Sequence, residues 1–266
     1  MLTVILLGVV VGGIAGLTGA GGGIMATPLL MFGLQLTLTQ AAPIGLMAAG
    51  LSAALGALMG LRVGIVRYRA AMMIALAGML IAPLGIWVAA RVPLVPLTLA
   101  FAAILIYVSY RGWRKANESP TLANAAIRPA APCLLDAKVG RLIWTVPCAR
   151  ALAGCGLLAG FLSGLLGVGG GFVIVPALQR YTDLDLRSIV PTSLAVIALV
   201  SVSAVTSSAL SGSLDWSVAL PFGGGALLGM LGGRLVCARI SATLMQKGFA
   251  SLCFVVAIAL IVKTST

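Results

Sequence analysis

Long apolar stretches alternate with short polar breaks along the chain. The pattern predicts helices of spanning length over residues 2–18, 43–61, 70–90, 95–110, 150–166, 188–210, 217–238 and 243–262. About 20 residues, at 1.5 Å rise each, cross the ~30 Å hydrocarbon core of a bilayer. Two further apolar pieces, 24–36 and 172–180, are too short to span comfortably. No charged residue occurs before Arg62, which a water-soluble fold would hardly leave so. Met1-Leu2-Thr3 lacks the basic start of a cleaved signal peptide, so the first apolar run is expected to be a permanent segment. The only long polar stretch is Arg111–Arg150, with Asn117, Glu118, Pro120, Pro129 and Pro132. It reads as an extramembrane linker between two halves.

The halves repeat each other. At a single ungapped offset of 148 residues, Gly12, Gly16, Leu17, Gly19, Gly21, Gly22 and Gly23 fall on Gly160, Gly164, Leu165, Gly167, Gly169, Gly170 and Gly171. At the same offset Pro28 falls on Pro176, Pro43 on Pro191, Leu46 on Leu194, Gly64 on Gly212, Gly85 on Gly233 and Phe101 on Phe249. A chance match between apolar helices aligns leucines and alanines. This one aligns glycines and prolines, which fix special backbone geometry.

The basic residues then decide how the halves are oriented. With four plain spans in each half and the linker inside, 11 of the 17 Lys and Arg lie inside. If each glycine cluster instead turns its helix back to the starting side, the second half is flipped. Only Arg91 and Lys263 then lie outside, and 15 basic residues lie inside. The positive-inside rule favours the second arrangement. The expected fold is an all-α polytopic membrane protein of two inverted repeats, each a broken or hairpin first helix plus three spanning helices. Its parts are a first membrane repeat over 1–110, a cytoplasmic linker over 111–149 and a second membrane repeat over 150–266.

Composition narrows the chemistry. Of the 266 residues 61% are hydrophobic and 8% charged, with mean hydropathy +1.17, where a soluble domain carries roughly 25% charge. The net charge of +12 sits in short loops between apolar runs, so it sets topology and does not mark a nucleic-acid partner. The chain has no histidine, and its five cysteines, Cys133, Cys148, Cys155, Cys237 and Cys253, form no CxxC pair. No metal or cofactor is expected, the cysteines read as packing residues and no disulfide framework is indicated. The five acids, Glu118, Asp136, Asp183, Asp185 and Asp215, fall in loops or at span ends. No carboxylate is left inside a span to relay protons or hold sodium. Without histidine or a buried acid pair, intramembrane catalysis lacks its usual base, so the chain reads as no enzyme.

The chemistry left is that of backbone. Three consecutive glycines cost roughly 1 kcal/mol each in a helix, and broken backbone in a membrane needs protein or water around it. Gly21, Gly22 and Gly23, with Gly169, Gly170 and Gly171, are therefore expected at interior breaks, offering N–H groups and positive helix ends to an anion. Pro43 and Pro191 read as helix starts, with Thr192 and Ser193 as further donors. Gly12, Gly16, Gly160 and Gly164 read as helix-packing positions. Neither cluster is a P-loop, since Ile24 and Met25 follow Gly23.

The duplicated Gly-[Ala/Val]-Gly-Gly-Gly clusters, Gly19–Gly23 and Gly167–Gly171, each followed by an apolar run and a proline (Pro28, Pro176), resemble those of the sulfite exporter TauE/SafE family. The resemblance covers nearly the whole chain except the linker. It implies a multi-pass permease of the bacterial inner membrane that moves small sulfur-containing anions such as sulfite or organosulfonates, usually outward. Uptake of another anion, and a non-transporting membrane subunit with packing glycines, stay open as alternatives.

Overall fold

The computed structural model describes residues 1–18, 22–117, 133, 145–237 and 242–265. Its helices are α1 (Leu2–Thr18), α2 (Gly22–Gly33), α3 (Leu38–Arg62), α4 (Tyr68–Arg91), α5 (Leu94–Asn117), α6 (Val146–Leu166), α7 (Gly171–Tyr181), α8 (Leu186–Leu210), α9 (Trp216–Cys237) and α10 (Ala242–Ser265). The only other regular pairing among the described residues is an isolated bridge between Cys133 and Thr182. Among the described residues six helical stretches are long and apolar enough to cross a membrane, within α3, α4, α5, α6, α8 and α9. The protein is an all-α polytopic membrane protein. α2 and α7, with 12 and 11 residues, reach only about 16–18 Å and do not span.

The elements keep the offset read from the sequence. α3, α4 and α5 begin at residues 38, 68 and 94, and α8, α9 and α10 begin at 186, 216 and 242, each 148 residues later. The packing follows the same exchange. α1 lies on α9 and α4 on α6, while α3 pairs with α8 and α5 with α10.

Close glycine contacts give the helix directions. On α1, Gly8 and Gly12 abut the backbone of Phe222 and Ala226 on α9, so these helices run parallel. Gly156, Gly160 and Gly164 of α6 likewise abut Ile74, Gly78 and Ala82 of α4. A side chain at any of these positions would collide with the partner backbone, the small-residue packing that membrane helices use. Gly50, Gly56 and Gly60 of α3 meet Ser201, Leu194 and Pro191 of α8, so these repeat-equivalent helices run antiparallel.

α3 and α8 form the centre, with 67% and 56% of their apolar windows buried against 33% for α4 and α5. The outer helices turn large apolar side chains outward, including Leu80 at 82% and Leu228 at 64% exposure. Such a surface suits lipid, not water. At one rim, Arg91 stacks over the Trp87 ring at 3.7 Å, a cation–π pair at a span end.

Two expectations are corrected. Pro43 and Pro191 do not start helices but lie inside α3 and α8, in the second turn. The helices begin upstream because Thr37 and Asp185 stand as N-caps there, and the Gln40 side chain accepts the Thr37 N–H at 3.1 Å. Each proline instead removes one N–H donor from a buried helix. The second correction concerns the cysteines. Cys133 and Cys148 form a disulfide with a Cα–Cα distance of 4.9 Å. Cys133 lies at the base of the second hairpin, where its N–H donates to the Tyr181 carbonyl at 3.2 Å. Cys148 lies in the first turn of α6, and both cysteines are fully buried. Cys155 and Cys253 are free, and Cys253 packs in the core as expected.

Candidate functional site

Each repeat opens with a hairpin of two helices joined at a glycine cluster. In the first, Gly22 lies against Ala15 and Gly33 against Leu7, so α2 runs back along α1. In the second, α6 ends on Gly167, whose φ is 69°, and α7 starts after Gly170, whose φ is 65°. Gly169 between them has φ 74°. These left-handed conformations are open to glycine and costly for other residues.

The hairpins meet in the interior. The Thr27 hydroxyl of α2 donates to the Gly167 carbonyl at 3.2 Å. A Cβ on Gly23 would lie 2.5 Å from the Val168 carbonyl oxygen and 3.2 Å from the Ala49 side chain. Beside this contact is a cavity lined by Ala15, Gly22, Gly23, Ala49, Ser52, Ala53, Val168, Leu194, Ile197 and Met230. It draws on both repeats and is closed down to about 20 Å³ for the centre of a water-sized sphere, room for a single water.

Two carbonyls at the end of α6 have partners, and two helix N-termini lie at the same junction. The carbonyls at the end of α6 are engaged: Ser163 O by the Gly167 N–H at 2.8 Å, and Gly167 O by Thr27. The helix N-termini are also buried here. α7 begins buried on Gly170, which offers no side-chain cap, and the first turn of α2, Gly22 to Met25, is wholly buried. The first N–H groups of a helix have no partner within it and carry the positive end of its dipole. Neither first turn holds an acid. Ser163, one turn before the second break, is 1% exposed and its hydroxyl has no hydrogen-bond partner. None of the cavity-lining residues is charged, and no cluster of three metal-ligating side chains occurs among the described residues.

The residues singled out from the sequence separate into groups. Gly22, Gly23, Gly169, Gly170 and Gly171 sit at the facing breaks and are buried. Gly21 lies outside the described residues. Pro43 is buried in α3 directly after Ala42, whose backbone abuts Gly167. Pro191 packs on Gly60 at the far end of α3. Thr192 donates to its own helix at Ser188 O and accepts the Arg67 N–H at 3.0 Å. Ser193 donates to Val190 O at 2.8 Å. Both hydroxyl protons are thus spent on their own helix, away from the cavity. Sequence reading missed Ser52, the one hydroxyl in the cavity wall. Its signal was present: it is the only polar side chain between Ala41 and Leu61.

A membrane bundle with paired interior helix breaks and a cavity between its repeats has the build of a transporter, and the comparisons agree. The chain belongs to the sulfite exporter TauE/SafE family, whose model matches residues 4–260. It is 30% identical over 255 residues to a "Probable membrane transporter protein" of Xylella fastidiosa strain 9a5c, covering 94% of this chain and 91% of that one. A protein of the same description from X. fastidiosa strain Temecula1 / ATCC 700964 is 29% identical over 257 residues, with the same coverage. No solved structure matches at a significant level. The protein is a multi-pass membrane transporter.

Proposed function

We propose that the protein is an exporter of small sulfur-containing oxyanions such as sulfite or organosulfonates, bound where the two glycine breaks face each other. The observation that carries this reading is the meeting of two buried glycine-led first turns, those of α2 and α7, at one interior junction whose described residues include no carboxylate. Positive helix ends and free N–H groups suit an anion and repel a cation. The binding set is Gly21, Gly22 and Gly23 with Gly169, Gly170 and Gly171. Pro43 thins the hydrogen bonding of α3 beside it, and Pro191, Thr192 and Ser193 join only if α8 rearranges during the cycle.

The antiparallel course of α3 and α8 supports the inverted-repeat reading, and the charge count favours a linker, 111–149, on the cytoplasmic side of a bacterial inner membrane. An inside-negative potential then drives an anion outward by about 2.3 kcal/mol per charge per 100 mV, with no coupled ion required. The test is sulfite flux in proteoliposomes under an imposed potential. Wild-type protein is expected to give voltage-dependent flux, and Gly22→Leu or Gly170→Leu to abolish it while the protein stays in the membrane. Normal flux in both variants would refute the site.

A further inference from the structure

Resting on the anion-transport reading, we infer that the Ser52 hydroxyl is a substrate-positioning and specificity-determining group of this carrier. Ser52 lies mid-way along α3, is 2% exposed and supplies the only hydroxyl among the described residues of the cavity wall. The other lining residues are aliphatic, Met230 or glycine. A wall of this kind selects for size, and its few polar groups fix orientation.

The hydroxyl is held loosely. It donates to the Ala226 carbonyl of α9 at 3.3 Å, beyond the usual 2.5–3.0 Å of an O–H···O bond. That carbonyl lies inside α9, where it already accepts from its own helix, so it does not need the Ser52 proton. A proton on a long bond to a satisfied acceptor turns readily to an oxyanion entering the cavity. The new bond is charge-assisted and stronger than the one given up.

The other repeat shows that the fold does not demand a hydroxyl here. The equivalent of Ser52 is Val200, and the equivalent of Ala226 is Gly78. Val200 places a methyl in the space a side chain at Gly78 would take, 2.8 Å from a Cβ built there. The same helix crossing is thus packed by methyl in one half and by hydroxyl in the other. The second half makes its own link between these helices at Ser203, which donates to Met79 O at 3.1 Å. Ser203 does not line the cavity. Hydroxyl placement, not helix tying, is what distinguishes position 52, and it makes the binding region asymmetric: the first repeat supplies the side-chain donor.

The experiment is sulfite flux in proteoliposomes carrying wild type, Ser52→Ala or Ser52→Val, with the melting temperature of each purified protein measured alongside. Ser52→Val installs the residue the second half already uses, so it keeps the test open if Ser52→Ala folds poorly. The expected result is an apparent KM for sulfite raised about tenfold in both variants, with Vmax held within roughly twofold and the melting temperature little changed. An unchanged KM in both variants overturns the assignment, as does a loss of Vmax that merely follows a loss of stability. Wild-type vesicles that move no sulfite overturn the anion-transport reading itself, a result distinct from normal wild-type flux with indifferent variants.

Discussion

The two hairpins carry near-identical glycine clusters, and the described glycines of each meet a different need. In the second, Gly167, Gly169 and Gly170 all take positive φ, so the turn needs a backbone that only glycine adopts freely. In the first, Gly22 and Gly23 are the opening residues of a helix. What they provide is room, for Ala15 on one side and the Val168 carbonyl on the other. One cluster is fixed by conformation and the other, at these two positions, by space. The second hairpin is also clasped at its base by the Cys133–Cys148 disulfide, and the first has no such clasp among the described residues.

The largest expected effect follows from conformation. Gly167→Ala adds left-handed strain of about 1–2 kcal/mol to a collision with the Ala42 backbone. Little folded protein is expected by size-exclusion chromatography of detergent extracts. Gly154→Ala on the same hairpin, with open space around it, is expected to be silent. Equal yields would end the comparison.

The clasp comes next. Reducing the purified, oxidised protein is expected to cost about 3 kcal/mol for a loop of this length, the cysteines being 15 positions apart. The melting temperature falls with reductant in wild type and not in Cys133→Ser. A smaller effect tests the steric hairpin. Gly22→Ala overpacks α2 on α1 by about 1–3 kcal/mol, and Ala15→Gly in the same chain is expected to restore most of the melting temperature. The same logic fails at Gly170, where making room at Ala159 leaves φ unrelieved.

The smallest effect lies outside both hairpins. Asp215 accepts the Ser217 hydroxyl at 2.7 Å and the Ser217 N–H at 2.9 Å at the start of α9. These bonds hold its pKa below the ordinary carboxylate value. A depressed folded pKa contributes stability above the unfolded value of about 3.9 that is lost as pH falls through the folded one. A slight acid-side drop in melting temperature is expected in wild type and absent in Asp215→Asn.

Much of this architecture was legible because apolar length and repeat offset are local signals. The ungapped spacing of Gly19 to Gly167 anticipated that α3, α4 and α5 would recur as α8, α9 and α10, and the glycine runs marked where helices break. What was not legible depends on long-range contact. Pro43 resembled a helix start because proline favours that position, yet Thr37 had already begun the helix. Thr192 and Ser193 looked like free donors, but their own helix takes both protons. Cys133 gave no sign of its partner, because its contact with Tyr181 and Cys148 leaves no trace in periodicity. Ser52 was overlooked because a single hydroxyl in an apolar helix is common, and only the cavity around it sets it apart.

Equilibrium binding is the most direct test that the two breaks form one anion site. Sulfite titrated against the melting temperature of the purified protein is expected to raise it in wild type, since a ligand of the folded state stabilises by mass action. In Gly23→Ala, whose added Cβ would press on the Val168 carbonyl from the opposite repeat, the protein is expected to fold and the sulfite-dependent rise to vanish. A rise of the same size in wild type and Gly23→Ala would contradict the account.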